Sequence, residues 1–172
     1  LYTGEPLWKT FLVSGQQETN LFGNILSEMA SQPPIAADGQ VYFSTNLGVI
    51  VSLDAASGRT RWSRQYTRAR VRTSQNGRES LRDETFANGA VAFDGERLFC
   101  APSDSEHAFL LRPNDGGLRG SWRYRDTKYG ELRTLIGMTE KGAWFHGTHL
   151  AFLPFPGSGE RMRVSEALFT RN

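Results

Sequence analysis

Two histidines are the first residues whose types and spacing could carry chemistry. His146 and His149 are three residues apart, and on a strand they would point to opposite faces. They could share a metal ion only across a sharp turn, which Gly147 makes possible, but no third ligand lies beside them. The spacing favours two unrelated turn histidines, and we expect no metal site here.

A serine-rich segment holds the residue types of a hydrolytic triad: Ser103, Asp104, Ser105 and His107. These residues lie too close together in sequence to be read as a triad, and no nucleophile-elbow pattern surrounds either serine. We therefore expect no catalytic residue in this segment.

Cys100 is the single cysteine of the chain. It lies in an apolar segment between Phe99 and Ala101, which favours a small buried hydrophobe over a nucleophile. A lone cysteine also excludes an intrachain disulfide and an all-cysteine metal site.

Arginines dominate the charge of one stretch. Residues 59–82 contain eight arginines, and the only acid among them is Glu79. One interpretation is an anionic partner, such as a nucleic acid, a phosphorylated ligand or an acidic glycan. The alternative is a solvated outer strand that runs into a surface loop and pairs with acids such as Asp83 and Glu84. No aromatic residue lies between 67 and 85 to stack on bases, so we expect a solvated loop without specific nucleic-acid affinity.

Short strands separated by turn residues must position these side chains. Residues 33–66 contain four strand-like segments, and their turns fall at Asp38-Gly39, at 46–48 and at 54–58. Four antiparallel strands of this length make one blade-sized meander. The 18 glycines and 12% aromatic residues fit such a turn-rich β architecture.

The last turn of this meander carries a recognisable motif. Residues 52–62 read SLDAASGRTRW, which resembles the A-x-D-x-x-T-G-x-x-x-W repeat of the pyrroloquinoline-quinone-like β-propeller family. Asp54 can accept backbone N–H groups within its own turn, and Gly58 allows a left-handed residue. We expect Trp62 to fill the gap between neighbouring blades, close to Gly58.

Incomplete copies of the motif occur elsewhere. The T-G-x-x-x-W end of the motif is repeated at the start of the chain, with Gly4 and Trp8. A second blade over 88–124 ends near Trp122, but Arg112 stands where the motif has aspartate, which leaves the geometry of that turn open.

A third, degraded blade is predicted over residues 132–164. The fold predicted is thus all-β, a propeller segment of about three four-stranded antiparallel blades. Propellers have typically 4–8 blades, so we expect the chain to be part of a larger ring. The other segments are assigned as an outer strand of a preceding blade (1–13), a connector with a short helix or ordered loop at 20–30 (14–32), the Arg-rich loop (67–87) and a lead into a further blade (165–172).

The resemblance implies two classes of function. The first is a non-catalytic scaffold or binding module of the bacterial cell envelope or periplasm, with the remaining blades and a protein or glycan as partners. The second is part of a quinone-dependent alcohol or sugar dehydrogenase. Such enzymes bind quinone and calcium through residues spread over many blades and have a neighbouring cysteine pair near the cofactor. That pair and a calcium-ligand pattern are missing here, so we expect no cofactor on this segment. The net charge of +2 indicates no partner by itself, and no apolar run reaches the ~18 residues of a membrane span.

Overall fold

Three four-stranded antiparallel sheets make up most of the fold. The computed structural model describes residues 4–14, 33–45, 47–75, 78–83, 90–102, 104–123, 132–147 and 149–164. The sheets confirm the predicted all-β propeller segment of three blades. The expected helix or ordered loop at 20–30 and the lead at 165–172 lie outside the described residues. No helix in the described part of the chain has the length and hydropathy that a membrane span requires.

The first blade is a meander in which each strand pairs with the next one along the chain. Its first hairpin closes where Asp38 and Gly39 both have positive φ, 50° and 70°. These residue types tolerate that conformation, so the predicted turn forms at the predicted place. The strands are β1 (Ile35–Ala37), β2 (Gln40–Ser44), β3 (Val49–Asp54) and β4 (Thr60–Gln65).

A separate hairpin follows the first blade. Strands β5 (Arg70–Gln75) and β6 (Arg78–Asp83) pair antiparallel, with Arg70 opposite Asp83. The prediction of a loop without strands is therefore wrong for these residues. The sequence signal was present, because Asn76-Gly77 is a strong hairpin turn pair between two strand-length segments. Each flanking segment has only one large apolar residue, Val71 or Leu81, so neither shows the apolar alternation from which a strand is predicted.

The second and third blades repeat the same meander. The second blade consists of β7 (Ala90–Phe93), β8 (Leu98–Ala101), β9 (His107–Leu111) and β10 (Leu118–Arg123). The third blade consists of β11 (Leu132–Thr139), β12 (Gly142–Gly147), β13 (Leu150–Pro154) and β14 (Arg163–Val164).

The hydrophobic core lies between the blades. Strand β8 shows this best, since all four of its residues are buried. Leu98 and Cys100 pack with Tyr42 of the first blade, whereas Phe99 and Ala101 pack with the third blade. Successive side chains of a strand point to opposite faces, so a blade that is covered on both faces needs an unbroken apolar run.

Each blade has two ends with different loops. Neighbouring strands run antiparallel, so alternate connections between strands fall at the same end. We call one the lower end, which holds the turns between the third and fourth strands of each blade. The upper end holds the β2–β3, β8–β9 and β12–β13 connections and residues 66–69, which lead from β4 into the hairpin. The strands thus hold one set of loops at the lower end and another set at the upper end.

Candidate functional site

A tryptophan covers the turn of the following blade at the lower end. The indole Nε1 of Trp8 donates a 3.0 Å hydrogen bond to the carbonyl oxygen of Ala55. Gly58 lies directly beneath the ring: a Cβ there would come within 2.5 Å of Trp8, and φ is +69°. Both the close approach and the left-handed backbone require glycine at this position.

Trp62 makes the same contact one blade further on. Its Nε1 donates a 2.6 Å hydrogen bond to Pro113, and a Cβ on Gly116 would lie 2.6 Å from its ring. Trp62 is only 8% exposed. The expectation that Trp62 lies close to Gly58 is wrong, because the outer strand carries each ring over the next blade and Gly58 is already covered by Trp8.

The third contact of this series differs in chemistry. Trp122 is half-buried and packs against Phe155 of the third blade, with ring centroids 5.6 Å apart. The Phe99 ring centroid lies 6.1 Å from that of Trp122 and 5.6 Å from that of Phe155, so the three rings form one cluster. Aromatic packing thus joins the second and third blades where a glycine turn joins the earlier ones.

The Asp54 carboxylate stabilises the turn that carries Gly58. Its Oδ1 accepts the Ser57 N–H at 2.9 Å, and its Oδ2 accepts Arg61 Nη2 at 2.8 Å. The hydrogen bonds from Arg61 and Ser57 hold the pKa of this carboxyl well below its usual range. The motif aspartate therefore has a structural part in the turn.

Asp115 takes over that role where Arg112 replaces the motif aspartate. The backbone of the two turns matches: Gly58 N–H donates to Asp54 O at 2.8 Å, and Gly116 N–H donates to Arg112 O at 2.9 Å. Asp115 accepts the Gly117 N–H at 2.9 Å and Arg112 Nη2 at 2.7 Å. The turn keeps its geometry because its carboxylate comes from three residues further along the sequence.

At the upper end, Asp104 joins the first two blades. Its carboxylate is fully buried and accepts the Tyr66 hydroxyl at 2.5 Å, Arg68 Nε at 2.9 Å and the Gly48 N–H at 3.2 Å. Burial raises the pKa of the Tyr66 hydroxyl above its usual value, and the Asp104 charge raises it further. Sequence reasoning considered Asp104 only as part of a triad and missed this joint.

Three arginines of the stretch have structural partners among the side chains that the structure describes, which exclude those of residues 70–83. Arg61 pairs with Asp54, and Arg68 pairs with Asp104. Arg64 Nη1 donates a 3.1 Å hydrogen bond to the Gly116 carbonyl of the next blade. These contacts hold the first blade together and join it to the second, and the acids involved are Asp54 and Asp104. The expected pairing with Asp83 and Glu84 concerns side chains outside those that the structure describes.

A cavity of about 430 Å³ opens at the upper end, beside the Asp104 joint. One wall is formed by residues 67–69 and the other by the start of β9 and the residues before it. Its volume suits a small ligand or a single large side chain. The lining residues are Thr67, Arg68, Ala69, Ser105, Glu106, His107 and Phe109.

The residues first considered for chemistry are dispersed or buried. Burial raises the pKa of the Cys100 thiol, which is fully enclosed in β8. His146 is exposed and His149 is half-buried, while Ser103 lies outside the described residues. Among the residues that the structure describes, no group of three or more His, Cys, Asp or Glu side chains is placed to hold a metal ion.

Known proteins share both the sequence pattern and the fold. A family model described as outer membrane protein assembly factor BamB matches residues 2–122. Quinohemoprotein alcohol dehydrogenase ADHIIG from Pseudomonas putida HK5 is 14% identical with a TM-score of 0.50, over 72% of this chain and 19% of that one. BamB from Moraxella catarrhalis is 18% identical with a TM-score of 0.44, over 67% of this chain and 30% of that one.

At 14% identity the dehydrogenase structure shows a shared propeller fold and nothing finer. The chain spans 30% of that BamB and 19% of that dehydrogenase. No curated protein sequence matches it.

Proposed function

Because the chain belongs to the family of outer membrane protein assembly factor BamB, we propose that it is a non-catalytic propeller module of the bacterial cell envelope. Its partners are the remaining blades of the same propeller and a protein or glycan bound at the upper end. We place it on the periplasmic side of the envelope. A fold of this kind hosts both enzymes and scaffolds, so the choice between them depends on the residues of the site.

The observation that carries this proposal is the way the carboxylates are used. Calcium in a quinone site needs oxygen ligands that are free to face it. Six carboxylates of the described residues instead accept hydrogen bonds or ion pairs from arginine, lysine or their own turns: Asp54, Asp94, Asp104, Glu106, Asp115 and Glu160. The single cysteine is enclosed in β8. This use of the carboxylates and the cysteine supports a module without a bound quinone and calcium ion.

The two ends of the blades support a binding role. The lower end is closed by the tryptophan contacts, whose polar groups are satisfied within the stack. The upper end presents loops and a cavity on rigid strands. Loops that a rigid scaffold positions are the usual carriers of binding sites.

Photocrosslinking in living cells tests the proposal. A photoreactive residue at Thr67, exposed at the upper end, should crosslink to an envelope protein or glycan. The matched control is Glu96, which is exposed in a lower-end turn and should give no specific product. Equal yields of crosslinked product at both positions, or no crosslinked product at either, would contradict the proposal.

A titration tests the enzyme alternative directly. The purified protein is mixed with pyrroloquinoline quinone and calcium, and binding and alcohol-dependent dye reduction are both followed. We expect neither. Saturable micromolar binding accompanied by dye reduction would make the chain part of a dehydrogenase.

A further inference from the structure

The residues that lead into the β5–β6 hairpin are held by hydrogen bonds where the first two blades meet. The Ala69 N–H donates a 2.6 Å hydrogen bond to the carbonyl oxygen of Asp104, and Arg68 Nε donates a 2.9 Å bond to its carboxylate. Ala69 and Asp104 are both buried. The blades therefore fix where the hairpin leaves the upper end.

The outer edges of the hairpin are the next feature. Among the described strands, β5 and β6 pair only with each other, so within that part of the chain each has one edge whose backbone groups have no ladder partner. A two-stranded hairpin by itself is marginally stable in water, and an unpaired edge is a template for a further strand. Adding a third strand would satisfy these groups and stabilise the hairpin.

The charge of the hairpin defines what such a strand would carry. Residues 70–83 contain four arginines and two acids. The register sets Arg70 opposite Asp83, but it sets Arg72 opposite Leu81. The surplus of positive charge is complementary to an acidic segment.

The cavity lies at the foot of β5. Residues 67–69 form one of its walls and lead directly into Arg70, the first residue of the strand. A segment added along the outer edge of β5 would therefore end beside the cavity. A volume of about 430 Å³ accommodates one large side chain of that segment.

We propose that the outer edge of β5 binds an extended acidic segment of a partner protein as a third strand, with one side chain at its end in the cavity. This inference rests on the proposed function, because it assigns the binding of that function's protein partner to the hairpin. Backbone pairing supplies the affinity and arginine supplies the preference for acidic sequence.

Peptide binding to the unaltered protein is the first test. The probe is a fluorescent ten-residue peptide of alternating glutamate and valine, and anisotropy reports its binding. A peptide of the same sequence with every backbone nitrogen methylated keeps the charge but cannot donate to a ladder. We expect the parent peptide to bind, the methylated peptide to bind at least about tenfold more weakly, and the amides of residues 70–75 to gain protection from hydrogen exchange. Equal binding of the two peptides would overturn the proposal.

A charge-reversed pair of variants locates the site. Arg72→Glu should weaken binding of the parent peptide by about tenfold or more. The matched control Arg59→Glu makes the same charge change at an exposed position of the first blade and should leave binding within about twofold. Equal losses in both variants would show non-specific attraction and would contradict the proposal. A DNA oligonucleotide that binds more tightly than the peptide would reassign the hairpin to nucleic acid.

Crosslinking at Thr67 separates failure of this inference from failure of the proposed function. Loss of the cellular crosslink in Arg72→Glu supports the hairpin as the binding site. A crosslink retained in that variant overturns the inference and leaves the proposed function standing. No crosslink in the unaltered protein overturns the proposed function itself.

Discussion

The indole N–H of Trp62 donates a 2.6 Å hydrogen bond to the carbonyl oxygen of Pro113, which lies 51 residues further along the chain. Trp8 makes the equivalent bond to Ala55, 47 residues away. Each pair joins an outer strand to the turn of the blade that follows. The order and spacing of the blades are thus held by contacts that repeat at blade intervals.

Truncating Trp62 should destabilise the stack. The side chain is buried and its N–H is paired, so Trp62→Ala should lower the free energy of unfolding by about 3–5 kcal/mol. Denaturant unfolding measures this. Leu7→Ala is the control, because Leu7 is 92% exposed and its loss should have little effect. A loss below about 1 kcal/mol for Trp62→Ala would contradict the contact described.

Two alanine variants separate the steric effect of a side chain at Gly116, next to Trp62, from the strain of the left-handed backbone. Gly116 and Gly39 have nearly equal φ, +67° and +70°, but a Cβ on Gly39 would meet nothing within 4 Å. Gly39→Ala should therefore cost about 1–2 kcal/mol, from left-handed strain alone. Gly116→Ala should cost about 1–3 kcal/mol more, because the methyl group displaces the indole ring. Equal unfolding free energies for the two variants would show that the ring does not press on the turn.

The Asp104 joint should be far more sensitive to loss of charge than an exposed pair. Asp104→Asn removes one partner of a buried ion pair and should cost about 3–5 kcal/mol. The control Glu106→Gln alters an exposed pair with Arg123 and should hardly change the midpoint of unfolding. Similar effects of the two substitutions would contradict a buried joint at Asp104.

Alkaline pH should weaken the hydrogen-bonded cluster around Asp104 and so lower the free energy of unfolding. The pKa of Tyr66 is raised in the folded protein, so the folded state keeps a proton that the unfolded state loses near pH 10. The contribution of protonated Tyr66 to the free energy of unfolding is therefore complete below about pH 10 and falls as the pH rises above it. Unfolding of the wild type and Tyr66→Phe across this range should show a weaker pH dependence in the variant. Burial also raises the pKa of Cys100 in both proteins, so their difference isolates Tyr66. Parallel pH profiles would contradict this assignment.

Much of the fold was predictable because its signals are local. Asp38-Gly39 marks a hairpin turn, and alternation along β2 places Tyr42 on the face opposite Val41 and Phe43; the structure shows that the Tyr42 face is the buried one. The partner of Trp62 was mispredicted for the opposite reason. Burial and the motif indicated a blade-to-blade contact, but only the three-dimensional stagger of the blades shows that the ring covers Gly116 and not Gly58.

The upper end was harder to predict than the blades. Asp104 lies in a polar segment, and nothing in its neighbourhood indicates that Tyr66, Arg68 and Gly48 converge on it from 36 to 56 residues away. The hairpin was missed because residues 70–83 have no apolar alternation, although Asn76-Gly77 is a turn-forming pair. Long-range polar contacts of this kind follow no repeating pattern in the sequence from which they could be predicted.

The most direct test of the account compares one variant from each end in the same two assays. Trp62→Phe, at the lower end, keeps an aromatic ring but loses the hydrogen bond to Pro113. Arg72→Glu alters the upper-end hairpin. Melting temperature and the yield of the Thr67 crosslink are measured for both, at a temperature where both are folded. The account predicts that Trp62→Phe lowers the melting temperature and keeps the crosslink, whereas Arg72→Glu keeps the melting temperature and loses the crosslink. Loss of the crosslink in folded Trp62→Phe to the same extent as in Arg72→Glu would contradict the division into a structural end and a binding end.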